Sequence, residues 1–97
     1  MSLKVSRTLL HKDQITIELE KLDGWSRVGD EIRKIWQPER FLRAIAFVNS
    51  VPVIAEKINH HPDIDTRWNR VVPTLSTHSS GRLTRLDFTA AKAMEEI

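Results

Sequence analysis

Three of the four histidines in this 97-residue chain stand where they could transfer protons to and from a small molecule. His60 and His61 are adjacent and precede Pro62, and His78 follows on a segment rich in Val and Thr. Imidazole exchanges protons near neutral pH, as either donor or acceptor. These residues therefore predict acid/base chemistry on a small substrate whose identity they leave open.

Two further positions fit a site around these histidines. Glu56 lies four residues before His60, so on a helix the two side chains share a face and the carboxylate can fix the imidazole tautomer. A residue before proline is pushed towards extended geometry, so His61 can point elsewhere. Trp68 and His78 are an even number of residues apart. An unbulged strand would project both from one face, with the indole as an aromatic wall.

The same side chains also have purely structural explanations. Histidine is favoured in the last turn of a helix, so His60 and His61 can be a capping pair. Large aromatic side chains are mostly buried for their area, so Trp25 and Trp68 can equally be core residues. Glu56 can equally form an ordinary surface salt bridge. On spacing alone, capping is slightly favoured for the histidine pair.

A metal site is a second chemical interpretation of the three histidines. The differing backbone geometry expected of His60 and His61 makes joint ligation strained compared with a helical i, i+4 pair. The chain has no cysteine, which excludes thiolate ligands, disulfides and redox cysteine chemistry. We therefore expect no metal in the site, and metal analysis of the purified protein would decide.

Composition and charge indicate one compact domain over residues 1–97. The hydrophobic fraction is 40%, with three Trp and three Phe, which is enough for a modest core. The net charge is only +2 and the basic residues are scattered among acids, so we expect no nucleic-acid partner. No apolar run approaches the roughly 18 to 20 residues needed to cross a bilayer, so we expect a soluble, cytoplasmic protein without a membrane partner.

Apolar periodicity predicts three helices. The first covers 13–22, with Asp13 as its cap, although alternating apolar residues also permit a strand there. The second begins at Pro38 and runs to the histidine pair, with a kink or a break expected at 49–52 around the internal proline. The third follows a capping box formed by Thr84 and Asp87.

Two stretches between the helices are predicted to form strands. Residues 25–36 read as a β-hairpin with its turn at Gly29 and Asp30. Residues 66–80 read as a strand in which Pro73 requires an edge position, an outward-facing missing donor or a bulge. The order of elements predicts an α+β domain with helices on one face of a largely antiparallel sheet.

The chemistry-bearing residues together resemble the signature of the pterin-4a-carbinolamine dehydratase family, in type and in every spacing. They are Glu56, His60, His61, Pro62, Trp68, His78 and Asp87. The segments "DGW" at 23–25, "RFLRAIAFVNSV" at 40–51 and "GRLTRLDFTAAKAMEEI" at 81–97 are also similar, so the resemblance covers roughly Leu19 to the end.

The resemblance implies a fold of order α-β-β-α-β-β-α, with three helices on one face of a four-stranded antiparallel sheet. It also implies assembly into homodimers or homotetramers. The implied reaction is loss of water from 4a-hydroxytetrahydrobiopterin, left when aromatic amino acid hydroxylases turn over, to give quinonoid dihydropterin. No metal or redox cofactor is required. Animal members of the family also act as dimerisation cofactors of a homeodomain transcription factor, which leaves a non-catalytic binding module as an alternative.

By similarity, His60 and His78 would form the acid/base pair, and His61 would bind and electrostatically support the pterin. Glu56 would orient His60, and Asp87 would fix a neighbouring group or loop. Two tryptophans would shape the pocket, namely Trp25 and Trp68. The chain departs from the family pattern at three prolines outside the signature, which are Pro38, Pro52 and Pro73.

Overall fold

The computed structural model describes residues 10–77 and 81–97, which form three helices and four strands. In chain order these are α1 (Lys12–Glu20), β1 (Trp25–Val28), β2 (Glu31–Lys34), α2 (Phe41–Ile58), β3 (Asp63–Arg67), β4 (Arg70–Leu75) and α3 (Arg85–Glu95). The order α-β-β-α-β-β-α confirms the predicted α+β fold. Within the described ranges, no helix has both the length and the apolar content needed to cross a membrane.

The four strands form one antiparallel sheet in the order β1-β2-β4-β3. The hairpin of β1 and β2 turns at Gly29 and Asp30, as predicted, and Gly29 has a φ of 59°, a conformation that costs glycine little. Helix α2 carries the chain from β2 to the outer strand β3, and β4 then returns between them. The end of β4 therefore lies in the middle of the sheet.

One face of the sheet carries the hydrophobic core. Side chains alternate along each strand, and the buried ones on this face include Trp25 of β1, Ile32 of β2, and Val71 and Leu75 of β4. The helices complete the core with Ile15 of α1, Ala44, Phe47 and Val51 of α2, and Phe88, Ala91 and Met94 of α3. Polar residues such as Arg33 and Thr74 occupy the other face.

The segment 66–80 differs from the predicted single strand. Residues 63–67 and 70–75 form two strands of a hairpin, joined by a turn at Trp68 and Asn69. Trp68 adopts a φ of 52° in this turn. Residues 78–80, which the prediction assigned to the end of the strand, lie outside the described residues.

Pro73 occupies the inner strand β4, so the edge position, one of the three alternatives considered for it, does not apply. The register of β2 with β4 is the same at Ile32–Leu75 and at Trp36–Val71, so no bulge intervenes. The backbone of Trp36 exchanges both hydrogen bonds with Val71, at 2.8 and 2.7 Å. In an antiparallel pair, every second residue of a strand directs its N–H to the same neighbouring strand. Since the N–H of Val71 points to β2, the N–H that Pro73 lacks would have pointed there too. Regular pairing between β2 and β4 is interrupted at this position.

Helix α2 begins at Phe41 with Arg40 as its cap, three residues after the predicted start at Pro38. It continues through Pro52 without interruption, so the predicted break does not occur. Pro52 lies on the exposed face, where water can reach the carbonyl that lacks its usual donor. Ser50 also bonds the carbonyl of Ala46 at 2.9 Å, a contact associated with bent helices.

Helix α1 is confirmed as a helix, but its cap is His11 rather than Asp13. Gln14 accepts a hydrogen bond from the His11 backbone N–H at 2.9 Å. Glu18, buried on this helix, pairs with Lys21 at 3.0 Å and reaches Arg85 and Lys92 of α3 at 3.4 and 3.7 Å. A hydrogen bond from Lys21, together with the charges of all three cations, lowers the pKa of Glu18 from 4.5 despite the opposing effect of burial. This carboxylate joins α1 to α3.

We expect Glu18→Gln to lower the free energy of unfolding by about 1 kcal/mol at pH 7, because it removes the charge shared by three cations. Since the folded state lowers the pKa of Glu18, the stabilisation is complete above pH 4.5 and is lost as the pH falls through the lower folded value. Urea denaturation at pH 7 and at pH 3 would measure both effects. Glu20→Gln, at an exposed position of α1, is the control, and an equal effect of the two variants at pH 7 would contradict the assignment.

Candidate active site

The carboxyl end of α2 determines where the histidine pair lies. The helix ends at Ile58, and Asn59 adopts a left-handed conformation with φ 52° and ψ 46°. The N–H of Asn59 bonds the carbonyl of Glu56 at 3.3 Å, and the N–H of His60 bonds that of Ala55 at 3.0 Å. These two bonds form a Schellman motif, in which Asn tolerates the left-handed position better than most residues. His60 therefore lies just beyond the helix.

His60 is buried and paired with Asp87. Its side chain is 7% exposed, and Nε2 lies 2.6 Å from Oδ1 of Asp87. The prediction that Glu56 orients His60 is wrong, because the helical geometry that would place them on one face ends at Ile58. The group that holds the His60 ring comes instead from the first turn of α3.

Asp87 is fully buried and has hydrogen-bond partners on both oxygens. Oδ1 faces His60, and Oδ2 accepts from the Thr77 hydroxyl at 2.8 Å and from the Thr84 backbone N–H at 3.0 Å. The Thr84 hydroxyl in turn accepts from the N–H of Leu86 at 3.2 Å. The predicted capping box of Thr84 and Asp87 is confirmed, and its carboxylate also anchors the histidine.

Thr77 was missed by the analysis of the sequence. It is buried, two residues beyond Leu75 and therefore in phase with the core-facing side of β4. A buried hydroxyl needs a hydrogen-bond partner, so a threonine in phase with core residues was the available signal. The spacing could not show that its partner would be Asp87.

His61 and Glu56 lie on the exposed side of the same helix end. Nε2 of His61 is 3.4 Å from Oε1 of Glu56, and 58% of the His61 side chain is accessible. The pair is long and solvated, so it contributes little to stability. His61 and Glu56 are therefore accessible to a ligand, whereas His60 is held by the buried Asp87.

The two tryptophans assigned to the pocket lie in different surroundings. Trp25 is buried in the core, and its Nε1 donates to Glu95 at 2.6 Å, which fits the structural explanation for this residue. Trp68 is 74% exposed in the turn between β3 and β4, so it is not a core residue. The pairing of Trp68 with His78 on one strand face does not arise, because Trp68 lies before β4 begins.

His78 lies outside the described residues, so its predicted approach to His60 stays a prediction. The residue before it, Thr77, donates to the same carboxylate that holds His60. In the ranges 10–77 and 81–97, no group of three or more His, Cys, Asp or Glu side chains could hold a metal ion.

Residues 8–97 match the sequence profile of the family described as "Pterin 4 alpha carbinolamine dehydratase". The chain belongs to this family. A relative from Roseiflexus castenholzii is 49% identical over 92% of this chain and 96% of its own length, and one from Nocardia farcinica is 48% identical over 92% and 94%. Both are provisionally named pterin-4-alpha-carbinolamine dehydratases.

A solved structure supports the family fold independently. The crystal structure of a "transcriptional coactivator/pterin dehydratase" from Brucella melitensis superimposes with a TM-score of 0.87 at 33% identity. The match covers 92% of this chain and 97% of that one. The similarity in both sequence and structure thus extends over nearly the whole of each protein.

We expect Asp87→Ala to lower the free energy of unfolding by about 3 kcal/mol, because it leaves the Thr77 hydroxyl, the Thr84 N–H and His60 Nε2 buried without their common partner. Urea denaturation at pH 7 would measure the loss. Asp23→Ala, at an exposed position, should change stability by less than about 0.5 kcal/mol. If both variants unfold at the same urea concentration, Asp87 does not hold the three segments together.

Proposed function

We propose that this chain catalyses the loss of water from 4a-hydroxytetrahydrobiopterin, giving quinonoid dihydropterin in the recycling of tetrahydrobiopterin. The observation that carries the proposal is the buried His60–Asp87 pair, placed next to the accessible His61 at the end of α2. A histidine fixed by a buried carboxylate, beside an open histidine, suits acid/base chemistry on a polar planar substrate. Family membership supplies the substrate class.

The reaction needs one proton delivered and one removed. Protonation of the 4a hydroxyl lets it leave as water, and removal of the proton on N5 leaves its electron pair to form the C4a–N5 double bond. The protein therefore ends the cycle with the same number of protons as it began. Two imidazoles of opposite protonation state can perform this exchange without any other reactant.

We assign the acid/base steps to His60 and His78. Asp87 holds the His60 ring through Nε2, so that its other nitrogen can exchange a proton with the pterin. His61, with Glu56 beside it, would bind the polar edge of the substrate from the solvent side. Trp68 remains a candidate for contact with the pterin ring because its indole is exposed. Trp25 is not assigned a role in binding, since it belongs to the core.

We expect the purified protein to accelerate dehydration of freshly prepared 4a-hydroxytetrahydropterin, followed by stopped-flow absorbance. His60→Ala should lower kcat by about 100-fold or more, the usual contribution of a positioned acid or base. His60→Ala combined with His78→Ala should abolish activity, with the fold retained by circular dichroism.

His11→Ala is the matched control, because His11 is the one histidine at the opposite end of the sequence from the signature. It should leave kcat and KM unchanged. A wild-type rate equal to that of buffer would end the enzymatic proposal, and a full rate in the double variant would remove the two histidines from the mechanism.

A protein-binding role is the second candidate, because the Brucella melitensis structure is also named a transcriptional coactivator. Helix α2 presents apolar side chains to solvent, with Leu42 75% and Val53 69% exposed. These residues are eleven positions apart, which places them on one helix face. Exposed apolar surface of this kind is typical of interfaces between proteins.

We propose that this face of α2 is the contact surface of a homodimer or homotetramer, since identical chains offer each other the same apolar surface. Light scattering after size exclusion should give at least twice the monomer mass of 11.2 kDa. Leu42→Glu with Val53→Glu should lower that mass, whereas Lys12→Glu, at an exposed position of α1, should not. A wild type that is monomeric at 100 μM, roughly the upper end of such assays, would refute the assembly.

A further inference from the structure

The hydroxyl groups of Thr77 and Thr84 form a directed hydrogen-bond chain that ends on Asp87. Thr77 donates to Oδ2 of Asp87 at 2.8 Å, which uses its only hydroxyl proton. The contact of 2.8 Å between the two threonine hydroxyls must then be donated by Thr84. Thr84 accepts in turn from the N–H of Leu86. Every proton in the chain therefore points towards the carboxylate.

The two oxygens of Asp87 consequently have separate tasks. Oδ2 is occupied by the Thr77 hydroxyl and the Thr84 N–H, while Oδ1 faces His60 Nε2 at 2.6 Å. An ionised carboxylate has no proton to donate, so a contact between it and Nε2 requires Nε2 to carry the proton of the His60 ring. Nδ1 is the nitrogen of the His60 ring that does not face Asp87.

We propose that Thr77 is a positioning residue, which acts through Asp87 to hold His60 as the Nε2–H tautomer and leaves Nδ1 as the nitrogen that exchanges the proton. The assignment of Nδ1 to the substrate rests on the proposed dehydratase function, whereas the tautomer itself does not. A buried carboxylate fixes a catalytic imidazole in the same way in serine proteases, where the wrong tautomer is far less active. Thr84 supports Thr77 by supplying the proton that orients its hydroxyl.

The test combines kinetics with the tautomer of His60, observed by long-range ¹H–¹⁵N correlation in protein labelled at histidine. The His60 signals are assigned by their loss in His60→Gln. The wild type should show Nε2–H in the neutral ring. In Asp87→Asn, the oxygen would stay with Thr77 and Thr84, so the amide would donate to Nε2 and the ring should carry its proton on Nδ1. We expect kcat of this variant to fall by about 1,000-fold or more.

Thr77→Val keeps the shape of the side chain and removes its hydroxyl. We expect the Nε2–H population to decrease and kcat to fall about tenfold with little change in KM, because one hydrogen bond to the carboxylate is lost. Thr77→Ser retains the hydroxyl and should restore both values. Thr89→Val is the control for a threonine change on an adjoining element, because the Thr89 hydroxyl donates to the Arg85 carbonyl at 3.1 Å within α3.

The outcomes separate this inference from the proposed function. An Nδ1–H tautomer in the wild type, or a Thr77→Val protein with unchanged tautomer and kcat, would overturn the positioning role. It would also be overturned if Thr77→Ser lost as much activity as Thr77→Val. If the wild type has no dehydratase activity but the tautomers change as described, the positioning role is supported and the enzymatic proposal fails.

Discussion

The buried carboxylate of Asp87 is the group on which the arrangement of the site depends. Removing a carboxylate from water is costly unless hydrogen bonds replace its hydration. Asp87 meets this requirement with hydrogen-bond partners from three separate parts of the chain: His60 after α2, Thr77 after β4 and Thr84 before α3. These segments therefore have to meet for the charge to be buried. The same interaction stabilises the fold and positions a functional histidine.

The topology of the sheet brings these three segments together. Helix α2 crosses from β2 to the outer strand β3, and β4 returns to the middle of the sheet beside β2. The chain beyond β4 thus reaches the side of the core on which α2 ends and α3 begins. The Schellman motif at Asn59 then turns the backbone, so that His60 faces inwards while His61 faces solvent. His60 and His61 are adjacent histidines, yet one is buried and the other is exposed.

The prolines that depart from the family pattern are accommodated locally. Pro52 lies on the exposed face of α2, and the helix continues through it. Pro73 sits where the ladder between β2 and β4 is interrupted, with an unchanged register on both sides. Pro38 precedes α2, and its carbonyl accepts a hydrogen bond from Asn69 at 2.8 Å. None of them takes part in the contacts of Asp87, which is consistent with a fold that closely matches the Brucella melitensis structure.

Local signals in the sequence were sufficient for part of the fold. The periodicity of apolar residues predicted all three helices, and turn residues predicted the first hairpin. The spacing of Thr84 and Asp87 predicted the cap of α3. These features could be predicted because they depend on residues that are close in sequence. Resemblance to the family added the α-β-β-α-β-β-α order of elements and the residues worth testing. The division of 66–80 into two strands was missed, because Trp68 adopts a left-handed turn conformation that its residue type does not suggest.

Only the tertiary structure decided which carboxylate meets which histidine. Glu56 is near His60 in sequence, yet the helix ends between them, and Asp87 reaches His60 from 27 residues away. Thr77 could be recognised as a buried hydroxyl that needs a partner, but the partner was fixed by the packing of α3 against β4. Which buried polar groups form hydrogen bonds with each other depends on how distant segments pack in the folded chain. The spacing of residues along the sequence does not contain this information.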